Sequence, residues 1–272
     1  VTRSFQDCTR DGVAKSGLRT RLGGFDRIRD GLAGNGADPA DISDTGDGRR
    51  EADGGSLMAT AAEANAPRSG RDFVEAFLPE DDVLRVARGL AADAGLTPIS
   101  PSTGATLCML AAATSARAAI EIGTGTGVGA LWLLRGMRTD GVLTTIDIDA
   151  EHHRMARRIF AEAGHAASRT RLITGQALDV LPRLADGAYD LLFLDGDWAD
   201  YAACVAEAPR LLRAGGVLAF NGALAGGRVA DPAMRDPETM ALRDLVRSFR
   251  ANDDWRPALL PVGDGLLCAV RV

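Results

Sequence analysis

The sequence predicts an α/β protein built on a doubly wound, mostly parallel sheet that ends in an antiparallel hairpin. Three observations predict it. An apolar run ends in an acid and enters alternating glycines at Ile120-Glu121-Ile122-Gly123-Thr124-Gly125-Thr126-Gly127-Val128-Gly129. From residue 118 to residue 220 strand-like and helix-like patterns alternate, as the crossovers between parallel strands require. The last two strand patterns, 255–260 and 266–270, are separated only by Pro261-Val262-Gly263-Asp264-Gly265. That is too short for a crossover, so those two strands run antiparallel.

Residues 1–57 are rich in Gly, Asp and Arg and carry no sustained apolar period. Such a stretch buries too little apolar area to offset its ordering entropy, so it reads as a disordered or weakly helical extension. Phe5 and Phe25 are its only aromatic residues, Met58 is an alternative translation start, and a single domain spans 58–272. After Pro79 the acids Glu80, Asp81 and Asp82 fill a first helical turn, and Val83, Leu84, Val86, Ala87, Leu90 and Ala91 follow at helical spacing up to Gly95. Ser100-Pro101 starts a second helix carrying Leu107, Leu110 and Ala111. Next come a strand to 122, a helix over 128–137, a strand over 142–147, a helix over 150–163 and a strand over 171–174. A helix near 178–184, a strand at 189–194, a helix through 201–212, a strand at 217–220 and a long helix at 238–251 lead to the hairpin.

Composition excludes several classes. The net charge of −6 argues against a nucleic-acid partner, which needs a basic face. No run of about 18 apolar residues suggests a membrane span, and nothing reads as a signal peptide. Cys8, Cys108, Cys204 and Cys268 lack the paired spacing of a zinc site, so they read as reduced thiols of a cytoplasmic protein. Lys15 is the only lysine, and His152, His153 and His165 are the only histidines. General bases are scarce.

Alternating glycines let a backbone turn tightly and approach a ligand, and the helix behind them offers unpaired N–H groups, so this turn reads as a nucleotide site. Gly125-x-Gly127-x-x-Ala130 also satisfies the dinucleotide pattern, in which an acid roughly 20 residues on holds the ribose. Glu121 decides between the two: an anion there repels a pyrophosphate but attracts the cationic end of S-adenosylmethionine (SAM). A second acid, Asp147, closes the next strand.

From about Ile99 onward the chain resembles the cation-dependent O-methyltransferases of the catechol and caffeoyl-CoA type, within the class I, Rossmann-like SAM-dependent fold, and most of all their actinobacterial members. The resemblance rests on the glycine turn together with Thr144-Thr145-Ile146-Asp147-Ile148-Asp149, Leu192-Phe193-Leu194-Asp195-Gly196-Asp197, Leu211-Leu212-Arg213-Ala214-Gly215-Gly216 and Leu260-Pro261-Val262-Gly263-Asp264-Gly265-Leu266. It implies SAM as cofactor, a small hydroxylated acceptor and a homodimer, for which Phe73, Val74 and Phe77 supply an apolar cluster. It also implies a cofactor site in which Ile99 touches the cofactor from the helix ahead of the first strand, Glu121, Gly123, Thr124 and Gly129 line the methionine side, Asp147 accepts from both ribose hydroxyls, and Gln176 and Ala177 lie near adenine, with Gly125, Gly127, Ile148, Asp195 and Asp197 also in the site. For Gln176 and Ala177, helix capping or packing is the competing role.

Asp195 matches the family's first metal-ligating aspartate, but the pattern then fails. Where relatives have a lysine after the second acid this chain has Trp198, and where they have Asp-Asn after the next strand it has Asn221-Gly222. A hard divalent cation wants several oxygen ligands, preferably anionic, so no catalytic metal is expected. With the histidines following the ribose acid or lying at the far end of the sheet, Asp195 is the residue expected to contact the acceptor and take its proton; orienting loops or capping the next helix is its alternative role. Trp198 reads either as a stacking surface for an aromatic acceptor or as packing. Three functions stay open: a metal-free O-methyltransferase, a SAM-binding module without turnover, and an NAD(P)-dependent oxidoreductase.

Overall fold

The computed structural model describes residues 69–272. The extension over 1–57, with Cys8 and Lys15, and the first residues of the domain, 58–68, lie outside the described residues. Ser69 caps α1 (Gly70–Ala76), and Asp81 caps α2 (Asp82–Asp93) by accepting the Leu84 N–H. Ser100 caps α3 (Pro101–Ala113) through Thr103. Then follow β1 (Ala118–Ile122), α4 (Val128–Gly136), β2 (Val142–Asp147), α5 (Ala150–Glu162), β3 (Thr170–Thr174), α6 (Ala177–Val180) and β4 (Tyr189–Leu194). The chain ends with α7 (Trp198–Leu211), β5 (Leu212–Asn221), α8 (Pro237–Ser248), β6 (Trp255–Leu260) and β7 (Leu266–Arg271).

The seven strands form one sheet in the order β3-β2-β1-β4-β5-β7-β6. The pairs from β3 to β5 are parallel, and β7 runs antiparallel to both β5 and β6. Helices cover both faces, which is why the central strands are apolar on alternate and intervening positions alike. Ala119, Leu143, Leu191, Phe193 and Ala219 face a core made with α2 to α5. Ile120, Ile146, Leu192, Leu194 and Phe220 face the other, made with α7 and α8 through Tyr201, Cys204 and Leu242. Strand order reverses between β1 and β4, and that switch point opens a crevice at the carboxyl ends of the strands.

Three elements differ from their sequence-based outlines. The helix expected near 178–184 is a short α6 followed by a 3-10 turn, Leu181–Arg183, because Pro182 cannot donate a helical hydrogen bond. The strand expected at 217–220 begins at Leu212, paired to Tyr189, with a register irregularity between Tyr189 and Leu191. Asp190 holds this region by accepting from Arg213 Nε and from the Arg117 and Ala118 N–H groups. The long helix closes at Ser248 and tightens into a 3-10 turn, Phe249–Ala251.

α3 and α4 approach closely because Gly104 and Gly136 lack side chains. A Cβ on Gly136 would lie 2.0 Å from the Cys108 carbonyl oxygen, a backbone atom that cannot swing away. Gly136→Ala is therefore expected to cost about 3 kcal/mol or more in urea unfolding. Gly89, exposed on α2 with nothing near its Cβ position, gives the opposite sign: Gly89→Ala should gain about 0.5–1 kcal/mol.

Candidate functional site

A cavity of about 440 Å³ occupies the switch point. Its floor is the glycine turn leaving β1. Gly123 has φ +91°, and a Cβ there would lie 2.3 Å from the Asp195 carbonyl oxygen, so only glycine lets the turn pass under the β4 end. Gly125 also lines the cavity. Gly127 does not: as the left-handed residue ahead of α4 it packs on Phe160, 2.8 Å from its Cβ position, and its role is in the turn and the α5 contact.

Asp147 ends β2 and lines the cavity with a carboxylate already oriented by the protein. Its Oδ2 accepts the Gly125 N–H at 2.9 Å; its Oδ1 accepts the Asp149 N–H at 2.9 Å and lies 3.0 Å from His152 Nδ1. About four acceptor sites exist on a carboxylate, so at least one stays open toward a ligand hydroxyl. Ile148 is exposed beside it, and Ile99, Thr124, Gly129 and Ala177 complete the same wall. Gln176 stands at the N-cap of α6 without making a side-chain cap, so capping does not occupy its amide, and it too lines the cavity.

Glu121 departs from its expected place. It is fully buried and absent from the cavity wall, behind Gly129, whose Cβ position is 2.4 Å from Glu121 Oε1. Burial first, then the negative charges of Asp195 and Asp147, push its carboxyl well above the usual range against a hydrogen bond from Thr145. The electrostatic reason for excluding a pyrophosphate is thus weaker than an anion on the wall would make it. Oε1 has no hydrogen-bond partner among the described residues.

Asp195, Gly196, Asp197 and Asp200 form the opposite rim. Burial pushes the Asp195 carboxyl up to about 7, opposed by the hydrogen bond that Asn221 Nδ2 donates to its Oδ1 at 2.9 Å. The helix cap belongs to Asp197, which accepts the Ala199 N–H, so capping does not account for Asp195. Trp198 is not on the wall. Its Nε1 is 2.8 Å from where a Cβ on Gly222 would be, and the Arg228 guanidinium lies 5.5 Å from its ring centroid, which is the packing arrangement.

Sequence reasoning missed two histidines of this site. His152 lines the cavity on Asp147, and His153 sits beneath the glycine turn, its Nε2 3.1 Å from Thr124 Oγ1. The available signal was position: both fall in the first turns of α5, whose side chains lean back toward the β2 end.

The donor set does not suit the divalent cation of the resembled family. Asp197 gives one oxygen to its cap, Asn221 directs its amide nitrogen at Asp195, and Gly222 offers no side chain. Among the described residues no group of three or more His, Cys, Asp or Glu side chains could hold a metal. The cavity does suit SAM. A glycine-lined floor admits a close backbone approach, an oriented acid ends β2, and an unpartnered buried carboxylate oxygen lies directly behind the floor.

A sheet with a reversed seventh strand and an adenosine-sized cavity at its switch point defines a class I methyltransferase. The family model described as O-methyltransferase matches residues 84–272. A probable O-methyltransferase of Mycobacterium tuberculosis (strain ATCC 25618 / H37Rv) is 51% identical over 209 residues, covering 76% of this chain and 93% of that protein. The crystal structure of the O-methyltransferase TomG from Streptomyces achromogenes, involved in tomaymycin synthesis and in complex with SAM, aligns with a TM-score of 0.67 and 28% identity, over 74% of this chain and 94% of that one. That of a Bacillus cereus O-methyltransferase in complex with SAH, the demethylated product of SAM, gives 0.66 and 28%, over 74% and 95%. The chain belongs to the SAM-dependent O-methyltransferase family.

Proposed function

We propose that the protein methylates a hydroxyl of a small aromatic acceptor without a catalytic metal, and that Asp195 takes the hydroxyl proton. The observation that carries this is the Asp195 carboxyl: it lies on the cavity rim, free of any helix cap, with its pKa raised to about 7 by burial. A base whose pKa lies near working pH is both available and strong enough to act. Asn221 holds one oxygen in place and leaves the other for the acceptor. Bound SAM supplies an electrophilic methyl group for in-line displacement, and the chain's work is alignment. In this reading the glycine floor and Asp147 fix the cofactor, while Asp195 accepts the proton as the acceptor oxygen forms its bond to carbon.

Trp198 and Gly222 support the metal-free reading together. The indole occupies the space beside Gly222 that a larger residue would need. The two departures from the family pattern are therefore one packing unit. The exposed Phe73, Val74 and Phe77 of the α1 segment support the homodimer. Free Cys108, Cys204 and Cys268, and the lack among the described residues of any helix long and apolar enough to cross a membrane, support a cytoplasmic site of action.

The test is product formation from SAM over a panel of phenols, with and without excess EDTA. Turnover is expected to survive chelation unchanged. Loss of turnover that magnesium or manganese restores would overturn the metal-free reading. SAM binding with no product from any acceptor would favour a binding module instead.

A further inference from the structure

A buried chain of hydrogen bonds runs beneath the glycine turn, crossing three strands. Glu121 Oε2 is 2.6 Å from Thr145 Oγ1, which is 2.6 Å from Thr124 Oγ1. Thr124 Oγ1 is 3.1 Å from His153 Nε2, and His153 Nδ1 is 2.9 Å from Thr174 Oγ1. Glu121 and Thr145 are fully buried, and Thr124 and His153 nearly so. Each hydroxyl donates once, so the whole chain must point one way.

With one ionisable proton held between Glu121 and His153, that leaves two bonding orders; with that proton lost, Thr174 would instead donate to Nδ1 of a neutral His153 that donates from Nε2. In one, Glu121 is protonated and donates to Thr145, Thr145 donates to Thr124, Thr124 donates to a neutral His153 at Nε2, and Nδ1–H donates to Thr174. In the other, every proton between Glu121 and His153 has moved one place: Thr145 donates to an ionised Glu121, Thr124 to Thr145, and an imidazolium His153 to Thr124. The second order follows from the first without gain or loss of a proton. A proton on Glu121 Oε1 fits neither, since that oxygen has no partner to receive it.

We infer that Glu121 is a neutral acid until the cofactor's positive charge enters the cavity, and that it then passes its proton through Thr145 and Thr124 to His153. This rests on the reading that SAM binds over the glycine floor. Glu121 Oε1 lies against Gly129, which lines the cavity, so a charge on Glu121 meets the cavity across a residue with no side chain. With no cation there, burial and the charges of Asp195 and Asp147 all oppose ionisation. His153 is kept neutral in that state chiefly by burial. Asp147 and Asp149 favour its charging, and Arg157 and His152 oppose it. Asp147 lines the cavity, so the receiving end of the chain also senses what the cavity holds. Glu121 and His153 are thus positioning residues, giving the floor a negative charge only when it is needed.

The test uses the chain with ¹⁵N-labelled histidine, in which long-range ¹H–¹⁵N spectra distinguish neutral imidazole from imidazolium. At a pH of about 7.5, above the ordinary histidine value, His153 should show one protonated nitrogen alone and two when saturated with SAM. In Glu121→Gln it should stay neutral with SAM bound. Calorimetry in two buffers of different ionisation enthalpy should show no net proton exchanged on SAM binding. His153→Gln, lacking the receiving nitrogen, should release about one proton per SAM. An imidazole that stays neutral at SAM saturation, or that charges equally in Glu121→Gln, overturns the relay while leaving the cofactor reading intact. Absence of SAM binding overturns both.

Discussion

Asp195→Asn is expected to make the protein more stable as pH rises, while removing its catalysis. In the native chain the Asp195 carboxyl is raised from 3.8 to about 7 by burial. Between those values the folded state holds a proton that the unfolded chain has released, so native stability falls as pH climbs through this window and levels off above about 7. Asparagine does not titrate. The advantage of the variant should be absent below about pH 4, grow up to about pH 7 and reach at most about 4 kcal/mol, from 1.36 kcal/mol per pKa unit. Urea unfolding at several pH values measures it. A variant equal to or weaker than the native chain at pH 8 would show that the carboxylate is not held at a cost. Catalysis should fall by about 10² or more, the usual contribution of a positioned base, with SAM affinity little changed.

Asp147→Ala should do the reverse, weakening SAM binding far more than it alters folding. In the proposed function the carboxylate accepts charge-assisted hydrogen bonds from the ribose hydroxyls, each worth about 1.5–3 kcal/mol in favourable cases. At 1.4 kcal/mol per decade, affinity falls at least about tenfold. The structure adds a second loss, because the same carboxylate anchors the Gly125 and Asp149 N–H groups and His152. Asp147→Asn separates the two, keeping oxygen and shape at one position while losing charge. Titration calorimetry with SAM decides. Unchanged affinity in a folded Asp147→Ala protein would remove Asp147 from the cofactor site.

Much of the fold is legible in the sequence. β1, β2 and β4 have the limits read from sequence, because short buried strands bounded by glycines, acids and turn residues leave little freedom. The hairpin was legible from its short glycine-bearing turn. That β7 lies inside β6 and pairs with β5 was not, since that pairing joins residues some fifty positions apart, such as Val217 and Val270. In the site, the glycines and Asp147 carried local signatures of turn and strand end. The role of Thr145 did not: it is an unremarkable strand residue until the β1–β2 register sets it beside Glu121. Glu121 shows the main limit. Its identity suggested an anion facing a ligand, but complete burial sets its proton, and burial of a single residue is a property of the whole fold.

The most direct measurement of the central claim is the pH dependence of kcat/KM for methyl transfer from SAM in the presence of excess EDTA. With Asp195 as the base, kcat/KM should rise with pH through a single ionisation near 7 and then hold level, and Asp195→Asn should abolish that limb while still binding SAM. A profile without an ionisation near 7, or one that Asp195→Asn leaves in place, would contradict the account.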